Sequence, residues 1–151
     1  MAAKLKGSFN RPVDDKGRTV IAEILRTGLF DISPRWVISR SLDGLCLILC
    51  PEPVWDATIS ERLEKVSTSK SNHLALGRLT HAGAFDVTCN SAGRLLIPSA
   101  LLKAAGIVRQ CTQIGFGNKV EIWSTERWKE YEERFEQNRE QLTEGIEQFG
   151  L

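Results

Sequence analysis

One short sequence pattern occurs twice in this chain of 151 residues, and the repeat constrains the fold more than any other feature. Residues 14–21 read DDKGRTVI, and residues 90–97, which follow 76 positions later, read NSAGRLLI. Each copy is a polar turn that delivers an arginine into an apolar strand. A duplicated unit of this kind folds as two interlocked halves related by a pseudo-two-fold axis. The repeat therefore predicts two equivalent basic turns side by side on one face.

Length and composition are consistent with a compact soluble protein. An apolar content of 42% is sufficient for one domain, or for two small halves that share a core. The longest apolar runs reach about ten residues, whereas a membrane span needs about 20, and the chain does not begin with a signal-peptide core. We therefore expect a cytoplasmic protein without a membrane partner. The cysteines lack metal-binding spacing and are expected to be reduced structural thiols: Cys46, Cys50, Cys89 and Cys111.

The charges are distributed unevenly along the chain, although the net charge is only +1. Residues 1–26 contain six lysines and arginines against three acidic residues, whereas residues 119–151 contain five against nine glutamates. Such a separation can give a nucleic-acid-binding protein one positive face and one face that phosphate does not attract. A solvated surface without any partner explains the same distribution equally well.

Each turn is followed by the same predicted elements. A strand, at residues 18–21 and again at 94–97, leads into a short helix. The first helix is predicted at residues 22–26 with Gly28 beyond it, and the second extends from Pro98 to a glycine cap at Gly106. A β-hairpin then follows in each copy. The predicted hairpin strands are residues 36–40, 45–49, 113–114 and 119–123.

Both copies end in an amphipathic helix. The first has apolar residues at helical spacing from Trp55 to Val66 and is followed by a polar segment, residues 67–72, which is predicted to be a linker or loose turn. The second begins near residue 125 and is predicted to exceed 20 residues, which indicates docking on a neighbouring subunit. Its apolar stripe consists of Trp128, Tyr131, Phe135, Leu142, Ile146 and Phe149.

The sequence offers little support for catalysis. His73 and His81 have no carboxylate or thiol neighbours at metal-ligand spacing and are interpreted as ordinary surface or linker histidines. The Gly115-Phe116-Gly117 segment has neither the helix nor the third glycine of a dinucleotide-binding loop. We therefore expect a protein that is not an enzyme, with no metal, no cofactor and no small-molecule substrate.

The two arginine turns are the remaining candidates for a binding site. Asp14 can cap its own turn, Gly17 permits the tight backbone, and Lys16 and Arg18 then project from a rigid edge. Arginine offers a planar fork of donors to guanine edges or phosphates. An Asp-to-Arg bridge that only stabilises the turn is the alternative. The repetition of the pattern in matching context favours a binding role.

These motifs together resemble the MraZ family of bacterial transcriptional regulators. The resemblance extends from Gly7 to Trp128 and beyond. It rests on residues 14–18, 82–84, 93–98, 104–106 and 118–123. The resemblance implies an α+β fold made of two SpoVT/AbrB-like swapped-hairpin halves that form a pseudo-dimer, with short helices and a C-terminal amphipathic helix. It also implies a homo-oligomer, assembled as a ring.

The implied function is regulation of transcription through double-stranded DNA. Members of the family bind short direct repeats upstream of the division and cell-wall gene cluster, which includes the regulator's own gene, and such a protein would associate with the nucleoid. The rival interpretation is a protein-interaction or antitoxin-like assembly protein, whose acidic, aromatic-striped tail would bind a partner chain. The implied parts are residues 7–66 and 82–128 as the two halves, residues 67–81 as a connecting segment and residues 129–151 as the C-terminal helix.

The family's Asp-x-x-x-Arg signature falls on Asp14 and Arg18 in the first half and on Asn90 and Arg94 in the second. Asn90 stands where the family usually has aspartate, so a charged pair is lost while the turn is kept. Ala22 stands where the family usually has proline. The predicted DNA contacts are Arg18, Lys16, Arg11 and, in a supporting role, Arg94. The predicted turn-stabilising residues are Asp14, Gly17, Asn90 and Gly93.

Overall fold

The computed structural model describes residues 4–66, 68 and 70–151, which form an α+β fold. The strands are β1 (Ser8–Pro12), β2 (Arg18–Val20), β3 (Trp36–Arg40), β4 (Leu47–Pro51), β5 (Phe85–Val87), β6 (Arg94–Leu96), β7 (Gln110–Phe116) and β8 (Lys119–Ser124). The helices are α1 (Glu23–Ile32), α2 (Glu52–Trp55), a π-helical segment (Asp56–Ser60), α3 (Glu61–Val66), α4 (Ser71–Ala82), α5 (Ser99–Ala105), α6 (Thr125–Glu136), α7 (Arg139–Leu142) and a 3₁₀ helix (Ile146–Phe149).

The strand order confirms the duplication. Six strands form one antiparallel sheet in the order β1-β7-β8-β4-β3-β5, and β2 pairs with β6 in a separate two-stranded ribbon. Replacing each strand by its counterpart in the other copy, β1 by β5, β3 by β7 and β4 by β8, reverses this order and reproduces it. The first strand of each copy therefore pairs with the hairpin of the other copy, as the resemblance implied.

The sheet is buried on both faces. Alternate residues of β4 point in opposite directions, so Leu47 and Leu49 enter one apolar core while Ile48 and Cys50 enter another. The first core also contains residues of α1, α5 and the ribbon. The second is covered by α2 and α6. The ribbon is thus one outer layer of the molecule, packed on the sheet through the larger core.

A buried glutamine attaches the ribbon to the sheet. Gln113 in β7 is fully buried, and its side-chain oxygen accepts a hydrogen bond from the backbone N–H of Ala22 at 2.9 Å. Its side-chain nitrogen donates to the backbone carbonyl of Val20 at 3.0 Å. A second tie is the Thr19 hydroxyl, which donates to the carbonyl of Pro12 at 2.9 Å. These bonds satisfy backbone groups where β2 passes into α1 and fix the position of the ribbon.

The first short helix differs from its prediction, whereas the second agrees with it. Helix α1 continues through Gly28 to Ile32 because Leu25 and Leu29 are fully buried and continue its apolar face. Gly28 is a packing site rather than a cap, since a Cβ there would collide with the Leu5 side chain. Helix α5 begins after Pro98 and ends at Gly106, as predicted.

The polar segment predicted as a linker is partly helical. Ser67 and Ser69 lie outside the described residues, whereas Ser71 and Asn72 form the first turn of α4. His81, one of the two histidines of this helix, also makes more contacts than a linker residue would. His81 Nδ1 lies 2.8 Å from the Gly77 carbonyl oxygen, and Nε2 lies 2.9 Å from the Ser60 hydroxyl. The imidazole ring also packs edge-on against the indole of Trp55. His81 therefore helps to hold α4 against α2 and the π-helical segment.

The C-terminal helix is shorter than the predicted 20 residues. Helix α6 ends at Glu136 after 12 residues, and Asn138 leaves helical geometry with φ −118° and ψ 36°. Tyr131 contacts Phe135 with ring centroids 4.7 Å apart, but the later stripe residues Leu142 and Phe149 are 47% and 72% exposed. Without a packing surface beyond Phe135, helix propensity alone does not sustain a continuous helix.

The cysteines are free thiols, and three of the four are buried. Burial raises the pKa of the Cys46 and Cys50 thiols to about 12. These two groups are therefore protonated near neutral pH and behave as apolar side chains, which agrees with the structural role that the sequence indicated.

Candidate nucleic-acid interface

The ribbon places both arginines on its solvent side. Thr19 lies opposite Leu95 in the antiparallel register, and both side chains are buried in the larger core. Because side chains alternate along a strand, Arg18 and Arg94, each adjacent to one of these residues, point away from the core. Leu96, which faces Arg18 across the ribbon, is 57% exposed. Arg18 and Arg94 therefore lie on one face, as predicted, whereas the antiparallel register places their turns at opposite ends of the ribbon rather than side by side.

Backbone hydrogen bonds join each turn to the end of the opposite strand. The Ile21 N–H donates to the Gly93 carbonyl, and the Ile97 N–H donates to the Gly17 carbonyl, both at 2.9 Å. Each bond extends from the end of one strand to the turn that precedes the other. The spacing between the turns is therefore set by main-chain contacts that do not depend on the surface side chains.

The first turn is organised by Asp14. Its Oδ1 accepts hydrogen bonds from the backbone N–H groups of Lys16 and Arg18, each at 2.9 Å. The Gly17 N–H donates to the Asp14 carbonyl at 3.0 Å, and the φ angle of Gly17 is +85°. Arg18 Nε donates to Asp14 Oδ2 at 2.8 Å. The guanidinium is thus held by its Nε, and its two terminal nitrogens form no hydrogen bond with any described residue.

The hydrogen bonds of the turn keep Asp14 ionised. The backbone N–H of Arg18 is the main cause of the lowered pKa of the Asp14 carboxyl, and desolvation opposes it. The Arg18 side chain and the Lys16 backbone N–H lower the pKa further. Since the folded-state pKa lies below the ordinary 3.8, the stabilisation is present above that pH and is lost as the pH falls through the lower value. The Asp14–Arg18 pair is therefore intact throughout the neutral range.

The second turn keeps the same backbone geometry without the ion pair. Asn90 Oδ1 accepts from the backbone N–H groups of Ala92 at 3.0 Å and Arg94 at 2.9 Å. The Gly93 N–H donates to the Asn90 carbonyl at 2.9 Å, and the φ angle of Gly93 is +79°. Within the described part of the chain, the Arg94 side chain forms no hydrogen bond or ion pair. The expectation that asparagine preserves the turn and removes the charged pair is confirmed.

The other two predicted contacts occupy different positions. Lys16 lies at the exposed tip of the first turn. Arg11 lies on the edge strand β1, where its Nη1 donates to the Asn10 carbonyl at 2.9 Å and its guanidinium lies 5.7 Å from the centre of the Phe9 ring. The structure thus gathers Lys16, Arg18 and Arg94 on the ribbon and its turns, with Arg11 on the neighbouring strand.

A further basic residue at the ribbon, Arg26, was not identified as a site residue from the sequence. It lies on α1 of the first copy, but its Nη1 donates to the carbonyl of Ala92 in the second turn, at 3.4 Å. The missing Cβ of Gly93 makes room for this guanidinium, which would otherwise overlap it. The corresponding position over Gly17 is occupied by the apolar side chain of Leu102. Arg26 and Leu102 occupy equivalent positions in the two copies. Because the two residue types differ, a comparison of the copies does not identify Arg26 as a site residue.

The described residues contain no group of three or more His, Cys, Asp or Glu side chains that could hold a metal ion. In the same part of the chain, no helix combines the length and the apolar character needed to cross a bilayer.

Comparison with known proteins identifies the family. A protein from Pediococcus pentosaceus named "Transcriptional regulator MraZ" is 34% identical over 145 residues, which are 96% of this chain and 98% of that protein. The chain belongs to the MraZ family. The MraZ protein of Symbiobacterium thermophilum is 38% identical over 127 residues, 84% of this chain and 88% of its own length. That of Lactobacillus delbrueckii subsp. bulgaricus is 31% identical over 145 residues, 96% of this chain and 98% of its own. The family model "MraZ protein, putative antitoxin-like" matches residues 81–149.

Membership of the MraZ family supports a DNA-binding regulator. The named relatives are transcriptional regulators, a class whose members are not usually enzymes. This agrees with a candidate site made of arginines and backbone turns.

Proposed function

We propose that this MraZ protein is a sequence-specific transcriptional regulator that contacts double-stranded DNA with the solvent side of its β2–β6 ribbon. The observation that carries the proposal is the placement of Arg18 and Arg94 on one exposed face, at a spacing fixed by the backbone. The major groove of B-DNA admits a two-stranded ribbon. The ribbon is two-stranded and carries an arginine from each strand on its solvent side, which supports such a contact.

The contacts are divided between bases and phosphates. Arg18 uses Nε for Asp14, so the donors of its two terminal nitrogens are available to the two acceptors of a guanine edge. Lys16 and Arg11 attract the sugar-phosphate backbone, and Arg94 has a supporting role. Phosphate contacts position the protein, whereas guanine contacts determine the preferred sequence.

The proposed target is a set of short direct repeats upstream of the division and cell-wall gene cluster, including the regulator's own gene. One protomer with a net charge of +1 cannot bind DNA tightly through one small ribbon. A homo-oligomeric ring would present several ribbons, and repeats spaced by about 10 base pairs would place each site on the same side of the helix. Such a regulator acts in the cytoplasm, in association with the nucleoid.

Binding to DNA upstream of its own gene tests this function. The natural duplex and a scrambled duplex of equal length are titrated at two salt concentrations. We expect tighter binding to the natural duplex, steep salt dependence, and loss of affinity when repeats are deleted one by one. Equal affinity for the two duplexes at both salt concentrations would contradict sequence-specific recognition.

Replacing Asp14 with asparagine is expected to reduce the preference for the natural duplex while raising affinity for scrambled DNA. Asn90 shows that an amide supports the same turn, so the variant folds with Arg18 released from its Nε contact. The lost negative charge favours phosphate, and the freed guanidinium no longer has a fixed orientation. Competition binding with both duplexes measures the two effects.

The matched control replaces Asp31 with asparagine, which removes an exposed carboxylate at the far end of α1. Between about pH 5 and 8, titration of Asp14 should not change the affinity of the parent for DNA, because the pKa of this carboxyl lies below its ordinary value. A D14N preference equal to that of the parent would show that orientation by Asp14 is unimportant.

The second candidate function is an antitoxin-like or protein-interaction role centred on the acidic tail. Two observations favour it: the matching family model carries the words "antitoxin-like", and Leu142 and Phe149 are exposed among glutamates. Trp128 and Tyr131 of α6, by contrast, pack on Trp123 of β8 with ring centroids 5.2 Å and 4.9 Å from it. A deletion that tests the tail must therefore spare α6.

Removal of residues 139–151 is expected to reduce the number of subunits in the assembly, because we propose that this segment docks on a neighbouring subunit. Mass is measured by light scattering during size-exclusion chromatography. A full-length variant with Leu142→Ser and Phe149→Ser serves as the control for the apolar contact. An unchanged number of subunits with unchanged DNA binding would leave the tail available to another protein and favour the second function.

A further inference from the structure

The two turns of the ribbon carry different local charges. Residues 14–18 contain two aspartates, one lysine and one arginine, so their charges cancel. Residues 90–94 contain one charged residue, Arg94. Arg26 reaches the second turn from α1 and adds another positive charge there. The second turn is therefore the more positive of the two, although it is the one that departs from the family's Asp-x-x-x-Arg signature.

Arg26 is held against this turn without a carboxylate partner. Its guanidinium contacts the Ala92 carbonyl and fills the space left by Gly93, and it forms no ion pair with any residue in the described ranges. Its charge also reaches Cys89, where it partly offsets the rise in the thiol pKa that burial causes. This guanidinium has unused donors, and it lies at a turn whose next residue, Arg94, forms no ion pair with any described residue; two such arginines at one turn have the chemistry of an anion site.

We propose that Arg26 and Arg94 together form a phosphate-binding site at the second turn, so that the two halves of the ribbon have different tasks. The first turn orients Arg18 for a base edge, and the second turn holds the DNA backbone. This inference rests on the proposed DNA-binding function and assigns a specific ligand group, a backbone phosphate, to residues on two different copies of the repeat.

Because the two turns have different tasks, replacing their arginines with lysine should affect DNA binding differently. A phosphate contact depends mainly on positive charge, so Arg26→Lys should retain most of the binding. A guanine contact depends on the planar fork of donors, so Arg18→Lys should lose the preference for the natural duplex. A purely structural role of Arg26 over Gly93 would give a different result, because it would alter thermal stability without altering the dependence of binding on salt.

The decisive experiment compares Arg26→Gln with the matched control Arg78→Gln. Arg78 is an exposed arginine on α4, away from the ribbon. For Arg26→Gln we expect, for each occupied site, a weakening of about three- to tenfold on both the natural and the scrambled duplex and a reduction of about one in the slope of log K against log salt. The preference between the duplexes should be unchanged, Arg26→Lys should restore the slope, and Arg78→Gln should match the parent.

Two outcomes would overturn the inference. One is an Arg26→Gln protein whose slope and affinities equal those of Arg78→Gln. The other is an Arg26→Gln protein that loses only the preference between duplexes, which would make Arg26 a base contact. Failure of the proposed function is seen separately, as a parent protein that binds both duplexes equally.

An NMR titration gives a readout that does not depend on DNA recognition. The Nε–H signals of Arg26 and Arg94 are assigned with the glutamine variants and followed while sodium tripolyphosphate is added. We expect both signals to move together, with weaker binding in either single variant. A parent in which neither signal moves has no anion site at the second turn, whatever its behaviour with DNA.

Discussion

Replacing Arg18 and Lys16 together with alanine is expected to abolish specific binding to the upstream duplex while the protein still folds and assembles. A bidentate arginine–guanine contact contributes about 1–3 kcal/mol of discrimination, or roughly 5- to 150-fold for each site. In a homo-oligomer that engages several repeats, the loss is multiplied across the occupied sites. Loss of Lys16 removes a phosphate contact and reduces the salt slope further.

The structure explains why this variant should keep its fold. Neither side chain enters a core, and the bonds that organise the turn are made by Asp14 to backbone N–H groups that alanine retains. The control is the double variant Arg62→Ala, Lys65→Ala on α3, which removes the same charge at exposed positions distant from the ribbon. Electrophoretic mobility shift and size-exclusion measurements on both variants separate binding from assembly. Parent-like affinity in an assembled R18A, K16A protein would show that the site has been assigned to the wrong residues.

The architecture was largely predictable because the same pattern is present twice. Matching turns at residues 14–21 and 90–97 required two equivalent strands, and these strands pair with each other as β2 and β6. The bonds within each turn also followed from residue type, since aspartate and asparagine offer the same oxygen to the backbone. Local chemistry therefore accounts for most of the candidate site.

What the sequence did not predict depends on contacts between distant parts of the chain. Arg26 acts at a turn more than 60 residues away, in the other copy, and nothing in its own helix indicates that neighbour. Gly28 resembled a helix terminator because its packing partner, Leu5, belongs to the N-terminal segment. The stripe beyond Phe135 resembled a continued helix because periodicity does not reveal whether a surface is available to cover it.

Asn90 stands where the family usually has aspartate, and its consequence in the structure differs from the one that the sequence indicated. From the sequence, this departure weakened the second turn as a recognition element. In the structure Arg94 forms no ion pair with any described residue, and Arg26 contacts the same turn. Loss of the aspartate therefore makes the second turn more attractive to phosphate while reducing its ability to orient an arginine. The duplication supplies two equivalent positions, and the side chains at each determine what that position can bind.

The second large expected effect concerns the attachment of the ribbon to the sheet. Replacing Gln113 with methionine, which has a similar length but no amide, is expected to lower the free energy of unfolding by about 2–4 kcal/mol. The substitution leaves the Ala22 N–H and the Val20 carbonyl without their partners, and an unsatisfied buried polar group costs about 1–3 kcal/mol. Chemical denaturation measures the change in unfolding free energy.

Gln110→Met is the matched control, since Gln110 lies on the same strand with its side chain exposed, and it should remain close to the parent. The two released groups flank the point where β2 passes into α1, so the loss also loosens the ribbon that carries Arg18. At temperatures where Gln113→Met remains folded, we therefore expect its affinity for the natural duplex to fall more than its affinity for scrambled DNA, because specific contacts require a fixed geometry and phosphate attraction does not. Equal stability of the two methionine variants would show that the buried amide does not hold the ribbon in place. Reduced stability with an unchanged preference between duplexes would show that recognition does not require a rigid ribbon.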